Sequence, residues 1–192
     1  MPAIYAIRDD GFRFKNLDLS ILDIARHAPD DSDPDSILDF SLHNTAMAAW
    51  WPPMGAHFLS NEGFEGSPIP DISSGLGATL VLSPKAKRYL GDLLESYGEL
   101  LPIEAEGEVY YLFNCRTFGQ EDLDVSQHEY LGDTPISLKA LAFTGDAEKL
   151  ATFKSKFENC ATVFCNEQFK RAVEKFELTG ISFDENLVEQ FG

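Results

Sequence analysis

Bases are scarce in this chain. Fifteen Lys and Arg stand against thirty-two Asp and Glu, a formal charge of −17. A field of that sign repels nucleic acid and anionic membranes and speeds encounter with basic partners. Long apolar runs are missing too: no stretch approaches the roughly 18 consecutive apolar residues that a membrane-spanning helix needs. Met1 to Asp10 has neither the basic flank nor the apolar core of a secretory leader. The expected location is therefore the cytoplasm. Cysteine is sparse, and Cys115, Cys160 and Cys165 lie in or beside apolar runs. That usage suits a reducing compartment and predicts buried free thiols.

Motifs that carry chemistry are equally rare. His27, His43, His57 and His128 are scattered, with no pair at i, i+4 and no His-Glu-x-x-His. No Gly-x-Ser-x-Gly elbow occurs. Gly75-Leu76-Gly77 precedes a strand rather than following it, and no Gly-Lys-Ser/Thr comes after, which argues against a phosphate loop. The expectation is no catalytic set, no metal site and no cofactor. One nucleophile set, Cys115–His128–Asp124, can be assembled from distant positions. However, Cys115 ends a buried-looking run, where a thiolate is disfavoured. A cysteine-dependent enzyme is the weakest reading.

What the chain does have is a core. Fifteen Phe and 44% hydrophobic residues in 192 are enough for one large domain or two small ones. The clearest unit is Ala161 to Glu185. Thr162 to Cys165 reads as a short buried strand. Asn166 is an N-cap, and Phe169, Ala172, Val173 and Phe176 form one helical stripe. Gly180 is placed to stop the helix, and Ile181-Ser182-Phe183 alternates as a second strand.

The same order appears earlier. Thr79 to Leu82 is an apolar run, Ser83 caps, and Pro84 occupies the first helical turn. Ala86, Tyr89, Leu90, Leu93, Leu94 and Tyr97 keep helical spacing up to Gly98. Lys87-Arg88 and Lys170-Arg171 fall on the same turn of each unit. The pattern fits two β-α-β-like halves of one fold, and it also fits any capped amphipathic helix that follows a strand.

Elsewhere the signals are shorter. Ala3–Ile7 and Phe12–Phe14 read as two strands across an Asp9-Asp10-Gly11 turn. Leu17 to Arg26 reads as a helix capped at Ser20 or Asp18. Leu38, Phe40 and Leu42 alternate as in a strand. Asn61 to Gly77 is a long Gly-, Ser- and Pro-rich connection. Val109 to Cys115 reads as a strand buried on both faces. Leu138 to Phe143 is a further apolar run, and Asp146 begins a helix carrying Leu150, Phe153 and Phe157. The fold class expected is α+β, a mixed sheet with flanking helices. The domain reading is residues 1–70 as a divergent part packed on a core of residues 71–192.

Candidate partner-binding residues follow from charge and aromatic content. Asp30, Asp31, Asp33 and Asp35 form an acidic loop with Asp39 close by. Glu121, Asp122 and Asp124 form a second. Trp50 and Trp51 are adjacent, so in an extended segment they would point to opposite sides and one could anchor a partner. Glu104, Glu106 and Glu108 suit a solvated turn better than an acid–base pair.

One ordered set of residues carries a family likeness. It begins at Leu38–Leu42 and Pro70-Asp71, then strengthens at Leu82-Ser83 and Leu101-Pro102-Ile103-Glu104. It runs on through Tyr110-Tyr111-Leu112-Phe113-Asn114, Leu123-Asp124 and Ser126-x-x-x-Tyr130. It is fullest at Val163-Phe164-Cys165-Asn166-x-x-Phe169-Lys170-x-Ala172 and Leu178-Thr179-Gly180-Ile181-x-Phe183. The set resembles the immunity protein 11 family, small cytoplasmic proteins that protect bacteria against polymorphic toxins. The family usually has Ser where Asn166 stands, and residues 1–37 and 145–159 match poorly. The resemblance implies binding rather than turnover: docking on a cognate toxin domain and blocking its active site or holding it inactive; the acidic charge suits a basic target. A small-molecule sensor with a pocket between the two halves is the alternative from another class.

Overall fold

The computed structural model describes residues 3–188. In chain order the elements are β1 (Ile4–Asp9), β2 (Asn16–Asp18), α1 (Ile21–Ala25), α2 (Pro34–Leu38) and α3 (Phe40–His43). Then come β3 (Met54–Gly55), β4 (His57–Leu59), β5 (Ile72–Ser74), β6 (Thr79–Leu82) and α4 (Pro84–Leu94). β7 (Gly98–Ala105), β8 (Glu108–Cys115), β9 (Gln127–Leu131) and β10 (Thr134–Ala140) follow. The chain closes with β11 (Thr152–Phe153), β12 (Phe164–Asn166), α5 (Glu167–Lys175) and β13 (Ile181–Asp184). The fold class is α+β, as the sequence predicts.

Both helix entries form for the reason their sequences give. Ser83 Oγ accepts from the Ala86 amide at 3.1 Å with Pro84 in the first turn, and Asn166 Oδ1 accepts from the Phe169 amide at 3.2 Å. Each cap satisfies a donor that the first helical turn leaves unpaired.

The two units are split rather than simple β-α-β. In the five-stranded sheet the order is β3-β7-β8-β6-β5, so β8 lies between β6 and β7 and runs antiparallel to both. In the four-stranded sheet the order is β11-β12-β1-β13, so β1 lies between β12 and β13, again antiparallel to both. Registers match as well. Leu82 faces Tyr111 on β8, and its counterpart Cys165 faces Tyr5 on β1. Leu100 faces Phe113, and its counterpart Phe183 faces Ile7. β5 and β11 flank β6 and β12 as antiparallel edges. The halves thus share strand order, direction and register, but the central strand of the second is supplied by the start of the chain.

That placement bears on the N-terminal seventy residues. β1 is the interior of the second sheet and β3 an edge of the first, while α1–α3 and the β2–β4 pair cover the outer face of the first sheet. A central core joins the halves, with Leu82, Leu90 and Phe113 from one and Tyr5, Cys165, Phe169 and Val173 from the other. Tyr89 stacks on Phe176 at 4.1 Å between the two helices. Along the seam, the Ile72 amide donates to the Thr179 carbonyl at 2.9 Å and the Ser74 amide to Asp9 Oδ1 at 2.7 Å.

Several expectations are corrected. Phe12–Phe14 is turn, and β2 pairs with β4, not β1. Leu17 belongs to β2, and the helix capped by Ser20 starts only at Ile21. The 38–42 alternation is helical: Phe40 is buried in α3 while Leu38 and Leu42 are exposed. The acidic 30–35 loop ends in a helix, because Asp33 caps α2. The helix expected after Asp146 is replaced by two 3₁₀ turns on either side of β11, whose pairing with β12 fixes Thr152 and Phe153 as extended. Gly180 does not stop α5, which ends at Lys175 with Phe176 as its cap and Glu177 next in the left-handed region. A Cβ at Gly180 would lie 2.1 Å from the Ile72 carbonyl oxygen.

Candidate partner-binding surface

β9 and β10 form a hairpin outside both large sheets. Its two-residue turn places Gly132 at φ 63, a conformation open to glycine at no steric cost. Pairing of Leu138 with His128 and of Pro135 with Tyr130 sets these four on one face of the ribbon. At its base His128 stacks on Phe157 with ring centroids 4.2 Å apart, and His128 Nε2 lies 2.8 Å from the Phe157 carbonyl oxygen. Beyond that anchor the ribbon enters solvent. Tyr130 is 59% exposed, Leu131 74% and Ile136 59%.

The loop that leads into β9 extends this apolar surface. Leu123 and Val125 are exposed, whereas Ser126 is buried and exchanges hydrogen bonds with the Ala142 amide and carbonyl. Asp122 accepts from the Asp124 amide at 3.0 Å, and Glu121 accepts from Ser155 Oγ at 2.6 Å. Asp122, Asp124, Glu129 and Asp133 therefore surround an apolar arm on which Lys139 is the single Lys or Arg. Exposed apolar clusters with a polar rim are characteristic of protein-binding surfaces.

The sequence-derived candidates fall into three groups. Glu121, Asp122 and Asp124 lie at the foot of the arm. Asp30, Asp31, Asp33, Asp35 and Asp39 are exposed on and around α2. Trp50 and Trp51 are half-buried on the first sheet with ring centroids 6.4 Å apart, and Trp51 Nε1 donates to the Pro102 carbonyl at 2.9 Å. The two rings thus sit together rather than on opposite sides. No hydrogen bond or ion pair joins the three groups among the described residues. Tyr130, Leu131, Ile136, Glu129 and Asp133 were not among the candidates. The signal was present: Gly132-Asp133 between a Gln127–Leu131 run and a β-prone Thr134–Leu138 run is a hairpin pattern.

The nucleophile set is not assembled. Burial pushes the Cys115 thiol up to about 12, and its sulfur faces the Thr117 carbonyl at 3.8 Å, while His128 is held at Phe157. All three cysteines are free and buried. Among the described residues, no group of three or more His, Cys, Asp or Glu is placed to hold a metal ion, and no helix is long and apolar enough to cross a membrane.

A cleft of about 390 Å³ does lie where the halves meet, lined by Arg8, Asp9, Ser74, Thr79 and Thr162 among others. Arg8 Nη1 donates to Thr162 Oγ1 at 3.4 Å. Beside it, Glu158 accepts from the Thr162 amide at 3.2 Å, and burial pushes its carboxyl up to about 7.

Comparison with known proteins adds no identity: no protein-family model matches the chain, and no curated protein matches it.

Proposed function

We propose that this chain binds a basic cytotoxic protein domain and neutralises it by covering its active site, the role implied by the likeness to immunity protein 11. The observation that carries the reading is the β9–β10 arm, a solvent-exposed apolar ribbon rimmed by acids on a chain of charge −17. Burial of the apolar residues supplies affinity, and the acidic field supplies encounter rate and selects against acidic partners. Domains that act on nucleic acid are commonly basic, so an acidic inhibitor also mimics the phosphates such a domain would bind.

The test is co-expression of the tagged full-length chain with basic toxin domains encoded in its native host. Stoichiometric capture together with restored growth supports the reading. Toxicity that persists with every such domain, at verified expression of both proteins, ends it. A small-molecule regulator is the second reading, favoured by the cleft at Arg8 and Thr162. It predicts a metabolite-dependent rise in melting temperature that Thr162→Trp abolishes.

A further inference from the structure

We infer that the partner contributes an extended basic strand that pairs with the free edge of β9. The inference rests on the reading of the arm as the partner surface and specifies how that surface is used.

Most other sheet edges in the described residues are closed or very short, while β13, four residues long, pairs with β1 alone. The β5 edge is met by Thr179 and Asp9. The β11 edge is met by residues 117–119: the Lys154 amide donates to the Thr117 carbonyl at 2.9 Å and the Gly119 amide to the Lys154 carbonyl at 2.9 Å. β3 is two residues long. β9 is longer. It spans five residues, its partner is β10 alone, and no other backbone group bonds to residues 127–131 among the described residues.

The two edges of the arm are not equivalent. β10 carries Pro135, which lacks an amide hydrogen, and its register slips at Pro135/Ser137 and again at Leu138/Ala140. Proline and bulges are what protects an edge from further pairing. β9, Gln-His-Glu-Tyr-Leu, has neither proline nor glycine, so alternate residues turn their N–H and C=O groups to solvent in a regular row.

The chemistry of the incoming strand follows from the two faces. On the Tyr130 face, which also holds His128 and Leu138, it would place apolar side chains. On the opposite face it meets Glu129, where Lys or Arg is complementary. A second copy of this chain fits less well. Antiparallel self-pairing about β9 would set Glu129 near its own symmetry mate and bring two charges of −17 together.

The experiment uses the full chain and short synthetic peptides alternating Val, Ile, Thr or Tyr with Lys or Arg, with Glu-containing versions as controls. Amide hydrogen exchange is followed residue by residue. The expected result is binding by basic peptides, at least tenfold slower exchange of the outward amides of β9, and a Glu129→Lys variant that binds them about threefold more weakly while accepting the Glu controls. No binding at low salt, or protection confined to other segments, overturns the inference. Protection of β9 that rises with the concentration of the chain alone assigns the edge to self-association and also overturns it. Capture of a toxin domain that leaves β9 unprotected removes strand addition while the proposed function stands.

Discussion

Lys170 holds its ammonium nitrogen 4.3 Å from the ring centre of Tyr5, and the counterpart Lys87 lies 5.6 Å from the ring of Tyr111. In each half a helix lysine covers a tyrosine of the central strand, one residue before Arg88 or Arg171. The equivalence extends the matched registers of the two sheets from backbone to side chains. Tyr5 also donates to Glu167 Oε2 at 2.8 Å, a bond without a counterpart at Tyr111. Lys170→Met and Lys87→Met should each cost only about 0.5 kcal/mol, since both lysines are half-buried and keep contact with solvent. Denaturant titration checks this, and equal losses in the two variants would support energetic as well as geometric equivalence.

Glu158 makes stability pH-dependent. Burial raises its carboxyl to about 7 in the folded protein, against an ordinary 4.5. Between those values the native state holds a proton that the unfolded chain has released. Stability from this group is therefore full below about 4.5 and is lost as pH rises to about 7. The loss is bounded at about 3 kcal/mol. Glu158→Gln should be more stable than the parent at pH 8 and should flatten the profile over that window; an unchanged urea profile would contradict this.

Thiol chemistry should be silent in the native state. Burial raises all three cysteines, Cys115 to about 12 and Cys160 to about 11. A thiol reagent at pH 8 should modify none of them until denaturant is added. Cys115→Ala should leave the proposed toxin binding intact. Rapid native labelling of Cys115 would reopen the enzyme reading.

Gly180 is required by space. It lies at φ 111, and a Cβ there would stand 2.1 Å from the Ile72 carbonyl oxygen at the seam between the halves. Gly180→Ala should cost more than about 2 kcal/mol, because left-handed strain and a backbone clash act together. A melting temperature within experimental error of the parent would refute the close approach.

The acids of the arm should act on rate. Replacing Asp124, Glu129 and Asp133 by their amides should slow association with a basic partner about tenfold at low salt and leave dissociation nearly unchanged. Stopped-flow measurement across salt concentrations gives both rates. The same exchange at Asp30, Asp31 and Asp35 provides the comparison, since those residues lie around α2 rather than on the arm. An equal effect from both sets would assign the rate to net charge alone.

Certain features follow from the sequence by itself. α4 and α5 carry their own caps at Ser83 and Asn166 and their own apolar stripes, so local hydrogen bonds and helical spacing were enough to place them. β8 carries an unbroken apolar run from Val109 to Phe113, which made its position in the middle of a sheet legible, and the buried thiols followed from their apolar neighbours. Other features were settled only in three dimensions. An alternating pattern at Leu38–Leu42 cannot separate a strand from two short helices, because only the neighbours of Phe40 decide which face is covered. Thr152 and Phe153 fit a helical stripe, yet pairing with β12 satisfies their backbone as a strand. Trp50 and Trp51 were assigned to opposite sides by an extended geometry the chain does not adopt. Above all, nothing near Ile4–Asp9 specifies that it enters the sheet between β12 and β13, since that order depends on residues more than 150 positions away that leave two apolar faces to be covered at once. The same holds for the arm. Its residues form a recognisable hairpin locally, but their exposure is a property of everything that does not pack on them.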